Sequence, residues 1–231
     1  MARLAWTLGL LAGLALAESP FPQAKGGTFH LKAAESPYFL GENAVISAQD
    51  TLRIDAGVDV RMGPYAKLLV NGVAEIKGSE AGPVRFMPAD SGESWNGVHF
   101  IATSKPFSVS HLLIEGAFRN TVSSSSGLFE NSKFVDNYHG LKLYSSEEVM
   151  LKGCEFTRNR FAISATASTI LAERVSVAGN VFGVVLEGDS KFLGSRAGIS
   201  ENLEADFRDA SLEEGDGRIP FSVWQRLETA F

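Results

Sequence analysis

The sequence predicts an all-β fold, a single-stranded parallel β-helix with one coil per repeat of 21 or 22 residues. Two observations predict it. Asparagine recurs at Asn137, Asn159, Asn180 and Asn202, with gaps of 22, 21 and 22 residues. A fixed period in the twenties means one structural unit per repeat, stacked on its neighbours. Within the repeats apolar residues alternate, as in Cys154-Glu155-Phe156, Val175-Ser176-Val177 and Leu141-Lys142-Leu143. Such alternation marks short strands with one buried face. A pair of helices needs roughly 33 or more residues per repeat, so a helical solenoid does not fit the step.

Other columns keep the same period. Phe134, Phe156, Val177 and Ile199 sit three residues before each asparagine, and Leu141, Ile163 and Val184 four after it. Each asparagine lies between two strands and is followed at +3 by a small residue, Gly140, Ala162, Gly183 or Ala205. Asparagine tolerates left-handed backbone, so it suits a corner, and stacked on itself its amide can bond from coil to coil. The spacing predicts this ladder without a ligand; a polar stripe that binds one is the alternative. The same register sets Lys133 over Glu155 and Asp136 over Arg158. Opposite charges on adjacent strands contribute about 0.2–1 kcal/mol per pair.

Taken in order, residues 1–17 read as a secretory signal: Arg3, an apolar run, then Ala15-Leu16-Ala17. It is too short to span a bilayer, and no later stretch is long and apolar enough to do so. Residues 18–35 read as a leader with a short strand at 28–31. Residues 36–208 form the β-helix domain, whose early strands include Leu52-x-Ile54, Val58-x-Val60-x-Met62, Leu68-x-Val70, Val84-x-Phe86 and Val98-x-Phe100. Turn signals such as Asn71-Gly72, Gly82-Pro83 and Asn96-Gly97 separate them. After Asn202 the columns fail, because Asp206 and Arg208 fall where Leu141 and Leu143 stand. Charges there would be buried, so the solenoid is expected to end. Residues 209–231 then read as an acidic loop and a short capping helix. Its apolar face holds Phe221, Trp224 and Leu227, which could instead dock another protein.

Ser36-Pro37-Tyr38 and the run Thr51-Leu52-Arg53-Ile54-Asp55-Ala56-Gly57-Val58 resemble the opening coil of secreted right-handed parallel β-helix proteins. Trp95-Asn96-Gly97-Val98-His99-Phe100 and the later F-x-x-N-x-x-G units are similar to their following coils. The resemblance to this pectate-lyase-like superfamily covers roughly residues 36–205. It implies right-handed winding but names no activity, since the repeat carries lyases, hydrolases, epimerases and adhesins alike.

The chain has 21 basic and 27 acidic residues and no basic cluster, which disfavours nucleic acid as a partner. Its lone Cys154 stands in a column of small residues and reads as a buried hydrophobe. His30, His99, His111 and His139 lack metal-ligand spacing to one another, so no metal or cofactor is expected. Polysaccharide-cleaving β-helices use clustered carboxylates. The outward columns here hold no two acids in succession, and no catalytic residue is assigned. One ring column, His139, Phe161 and Phe182, either packs a corner or offers faces to a sugar. The leading expectation is a non-catalytic exported scaffold, adhesin or glycan-binding module of the periplasm, cell surface or exterior, with a polysaccharide or other cell-envelope component as partner. The alternative is a polysaccharide-active enzyme with its site on loops around 91–96 or 105–107. A groove with two or more acids and a basic residue would favour that alternative.

Overall fold

The computed structural model describes residues 18–22 and 26–210. They form a parallel β-solenoid of about nine turns. Three sheets of eight strands run along the stack, and every strand pairs in parallel with its equivalent in the next coil. A single short 3-10 turn, Ala33–Glu35, is the one helical element among the described residues. One complete coil shows the plan. Leu112–Glu115 lies in the first sheet, Arg119–Ser123 in the second and Gly127–Glu130 in the third, before Lys133–Val135 re-enters the first.

The alternation seen in the sequence fills the bore. Phe86, Ile114, Phe134 and Phe156 stack in register along the first sheet and are at most 1% exposed. The Phe134 and Phe156 rings lie 4.7 Å apart and 3° from parallel. The outward neighbours pair as the register requires: Lys133 with Glu155 at 2.8 Å and Arg158 with Asp136 at 2.7 Å.

The asparagine column is a continuous buried chain of amides. Asn159 Oδ1 accepts from the backbone N–H and the side-chain amide of Asn137, at 3.0 and 2.9 Å. Asn159 Nδ2 donates to Phe134 O and to Asn180 Oδ1, at 2.8 and 3.0 Å. The pattern repeats from Asn180 to Asn202. The left-handed backbone, however, falls on the preceding residue rather than on the asparagine. Asp136, Arg158 and Glu201 have φ of 54°, 55° and 60°, and Gly116 and Gly179 complete the column. The asparagine is free to stay extended and turn its amide into the stack. No ligand stripe arises, because Asn137, Asn159 and Asn180 are at most 3% exposed and fully bonded within the chain.

The strand expected at 28–31 is present, and at both ends the solenoid takes in residues that the column pattern does not mark. Ser19–Pro20 pairs with Tyr38–Phe39, and Thr28–Leu31 pairs with Thr51–Ile54, so residues read as a leader already belong to the first coil. At the other end the solenoid continues through Asp209. The corner after Asn202 holds one residue more than its predecessors, so Ala205 pairs with Phe182 and Phe207 with Val184. Phe207 therefore takes the inward place assigned to Asp206, while Asp209, in register with the inward Leu186, is half-buried at the end of the strand. Asp206 instead terminates the ladder: its Oδ1 accepts from Asn202 N and Asn202 Nδ2, both at 2.9 Å. Residues 1–17 and 211–231, with the expected signal, acidic loop and helix bearing Phe221, Trp224 and Leu227, lie outside the described residues. Among the described residues no helix is long and apolar enough to cross a membrane.

Two outcomes test the ladder. Asn159→Ala strips the Phe134 carbonyl and the Asn137 N–H of their partners in a buried corner, and should destabilise the fold by about 1–3 kcal/mol in urea unfolding. An unchanged midpoint would contradict a ladder that bears stability. The backbone and amide hydrogen bonds from Asn202 hold the Asp206 carboxyl below the ordinary aspartate range. A depressed folded value gives stability that is complete above the unfolded value and is lost as the pH falls through the folded one. Asp206→Asn keeps an acceptor but cannot titrate. It should leave neutral-pH stability nearly unchanged while flattening the acid limb of a melting-temperature profile.

Candidate groove at the end of the asparagine ladder

Most coils pass from the first sheet to the second in a short corner, as at 116–118, 136–138 and 158–160. One coil does not. The strand Val84–Pro88 ends and Gly97–Ile101 begins only after residues 89–96. The ladder stops just where this insertion stands. Asn137 Oδ1 accepts from Ala117 N at 2.9 Å, and Ala117 is bridged to Trp95 rather than to another asparagine. Trp95 plugs the widened corner: it is 1% exposed, stacks on Phe86 at 6.4 Å, and its Nε1 donates to Glu115 O at 2.9 Å.

Between the insertion and the next two corners lies an open groove of about 970 Å³. Met87, Pro88 and Ala89 line it together with Trp95. Three further rings border it. Tyr65 is 83% exposed and sits at φ 61°, a left-handed conformation uncommon for a bulky residue. Phe118 and Tyr138 stack 5.0 Å apart at 22° on successive corners, and the Arg160 guanidinium lies 5.6 Å from the Tyr138 ring centre.

Four charged side chains line the same groove: Arg61, Glu93, Glu115 and Asp136. Two are already engaged. Arg61 pairs with Glu18 at 3.3 Å, and Asp136 accepts from Nε and Nη2 of Arg158. Among the described residues Glu93 and Glu115 have no ion-pair partner. At the inner edge, His99 Nε2 lies 2.9 Å from Asn96 Oδ1, so the tautomer protonated on Nε2 fixes the Asn96 amide. Burial, with Arg119 and Lys67 nearby, pushes the His99 pKa down to about 4.

The sequence-derived candidates are distributed as follows. His139, Phe161 and Phe182 do stack, at 4.8 and 4.9 Å, with His139 and Phe161 each 4% exposed and Phe182 half-buried. The rings that border open space stand one position earlier, at Phe118 and Tyr138. Their 20-residue step was readable, but the 89–96 insertion that opens space beside them breaks the period. The two loops expected to carry a site both border grooves. Residues 91–96 edge the large one, while Lys105 and Pro106 edge a shallower one of about 440 Å³ lined by Ser124, Ser125 and Ser126. Cys154 is fully buried, its Sγ 3.3 Å from Phe129 O, and burial pushes its pKa up to about 11. No group of three metal-binding side chains occurs among the described residues.

The buried His99 makes stability pH-dependent. Its folded pKa lies below the ordinary value of about 6.5, so the folded state resists the proton that the unfolded state accepts. Stability should therefore be complete above pH ~6.5 and fall as the pH drops toward 4, by at most about 3 kcal/mol. His99→Gln should remove that slope in a melting-temperature series. A wild-type profile flat from pH 7 to 5 would count against a buried neutral imidazole.

No protein-family model matches the chain, and neither a curated protein nor a solved structure gives a match.

Proposed function

We propose that this protein is an exported, non-catalytic β-helix that binds glycan chains in the groove beside Trp95. The observation that carries the reading is the set of ring faces on rigid corners, Tyr65 on one lip and the Phe118–Tyr138 stack on the next. Sugars present apolar faces and hydroxyl edges, which suit aromatic platforms flanked by carboxylates and amides. A volume of about 970 Å³ lies at the upper end of ligand-site sizes. The apolar run before Ala15-Leu16-Ala17 supports export through the secretory route. The opening-coil motifs support a pectate-lyase-like ancestry, and the strong preference of parallel crossovers supports right-handed winding.

Polysaccharide cleavage is the second reading, and the groove meets the condition set for it, with Glu93, Glu115 and Asp136 lining it beside the basic Arg61. Glu93 and Glu115 are two carboxylates in one groove without ion-pair partners, and glycosidases work with two. Binding ranks first because Glu93 is exposed.

A glycan array with the purified protein, followed by calorimetry on the best hit, tests the proposal. Tyr65→Ala and Tyr138→Ala should each weaken binding by about tenfold, the scale of one lost ring contact. Tyr65→Ala should leave the melting temperature unchanged, since the ring is almost fully exposed. Binding that neither change weakens would move the site elsewhere. Release of new reducing ends, abolished by Glu115→Gln, would establish the enzyme instead.

A further inference from the structure

The charges around the groove beside Trp95 do not balance locally. Its floor is set by the first sheet. Arg61 pairs with Met87, and Ile114 pairs with Phe86, so Arg61, Met87 and Glu115 stand in one outward row at the strand ends. Glu93 comes from the 89–96 insertion, which brings two acids, Asp90 and Glu93, and no basic residue.

Every cation near this groove is already engaged. Arg61 Nε lies 3.3 Å from Glu18 Oε1. Arg158 gives Nε and Nη2 to the two oxygens of Asp136 and also lies within the field of Glu115. Arg119 and Arg160 rest against the Phe118 and Tyr138 rings, 5.9 and 5.6 Å from their centres. The surplus is carboxylate, at Glu93 and Glu115. The third ring differs from the other two, since no cation among the described residues lies over Tyr65. Tyr65 also adjoins the acidic insertion: its backbone N–H donates to the carbonyl of Ser94, the neighbour of Glu93, at 3.3 Å. A metal ion does not fit these acids, because no group of three metal-binding side chains occurs among the described residues. Carboxylates placed singly beside a ring suit single positive charges carried along an organic chain.

We propose that the groove selects glycans bearing free amino groups, as in deacetylated amino sugars, over glycans bearing uronate carboxylates. This rests on the glycan reading of the same groove and names its substrate class. A sugar face can rest on Tyr65 while the ammonium at its edge donates to Glu93 or Glu115. A uronate meets both carboxylates with like charge, and reaching Arg61 requires it to displace Glu18. An N-acetyl sugar keeps the face but lacks the charge, so it falls between the two. Glu93 is exposed and Glu115 half-buried. The discrimination should therefore be clear at low salt and shrink as salt rises.

Calorimetry on the full chain near pH ~6, where carboxylates are ionised and amines protonated, tests the proposal. The probes are chitosan, chitin and galacturonate oligomers of equal length. At low salt the chitosan oligomer should bind about tenfold tighter than the chitin oligomer, and the galacturonate oligomer weakest. Glu93→Gln combined with Glu115→Gln should bring the first two within about twofold of each other. Equal wild-type affinity for chitosan and chitin oligomers, or a preference that survives both changes or high salt, would overturn the proposal. Sugar binding that Tyr65→Ala weakens would still stand in that case, which separates this failure from failure of the glycan reading. Binding of none of the three oligomers would overturn the proposal, and the array with neutral glycans then decides the glycan reading by itself. A lysine-rich peptide of matching charge that binds as tightly as the chitosan oligomer would also overturn it, by assigning the groove to protein.

Discussion

A primary amide buried at a corner of the chain has two donors and a carbonyl to satisfy, and water is not there to help. A copy of itself one coil away solves the problem. In this protein Asn137, Asn159, Asn180 and Asn202 do so in sequence, each accepting at Oδ1 from the rung before and donating from Nδ2 into the stack. The arrangement tolerates little variation. Every coil must turn the corner with the same backbone, at the same rise, with a left-handed residue directly before the amide. Such residues are individually unfavourable, by about 1–3 kcal/mol for most side chains. They persist because the neighbouring rungs fix them.

The other two corners obey the same rule with smaller groups. Between the second and third sheets Ser125, Ser146, Ser168 and Ser190 form a hydroxyl ladder. Each later Oγ accepts the backbone N–H of the serine before it, at 3.1 to 3.4 Å. The residues before the first three, Ser124, Ser145 and Ala167, are again left-handed, at φ of 47°, 43° and 49°. Between the third and first sheets, Leu112 N donates to Ser132 Oγ, and Cys154 stands in the next position. There the column passes to Val175 and Ala197 and the side-chain ladder lapses. Cys154 thus reads as a hydroxyl replacement in a tight corner. That explains both its burial and its poor suitability as a nucleophile.

The ladder was legible because asparagine is scarce enough for a fixed step to stand out. The buried faces were legible because strands alternate. The serine ladder has the same regularity but was hidden, since serine is common in turns and the run Ser123–Ser126 blurs which position counts. Extrapolating the asparagine step past Asn202 placed Asp206 in the core. One added corner residue gave Phe207 that place, and a single insertion reverses which side chains face inward. The groove was harder still. Its rings come from Tyr65, Phe118 and Tyr138, in three coils, and the loop that opens it departs from the repeat. Period analysis finds what recurs, whereas a binding site is built from what does not.

That contrast connects the ladder to the groove physically. While the amide chain runs, the corner cannot lengthen, because an inserted loop would separate one rung from the next and leave a buried amide without partners. The insertion at 89–96 stands next to Ala117, the first position of this column without an asparagine, and Trp95 rather than an amide fills the space. Loss of the ladder is thus the condition that allows a cavity to form at this corner. The intact ladder directly above it holds the Phe118 and Tyr138 corners in fixed register. The rings then need no ordering when a ligand arrives, and preorganisation of that kind converts modest contacts into affinity. Between Asn137 and Asn202 the corner carries the amides that hold its strands together. Below Ala117 the same corner carries the open surface available for recognition.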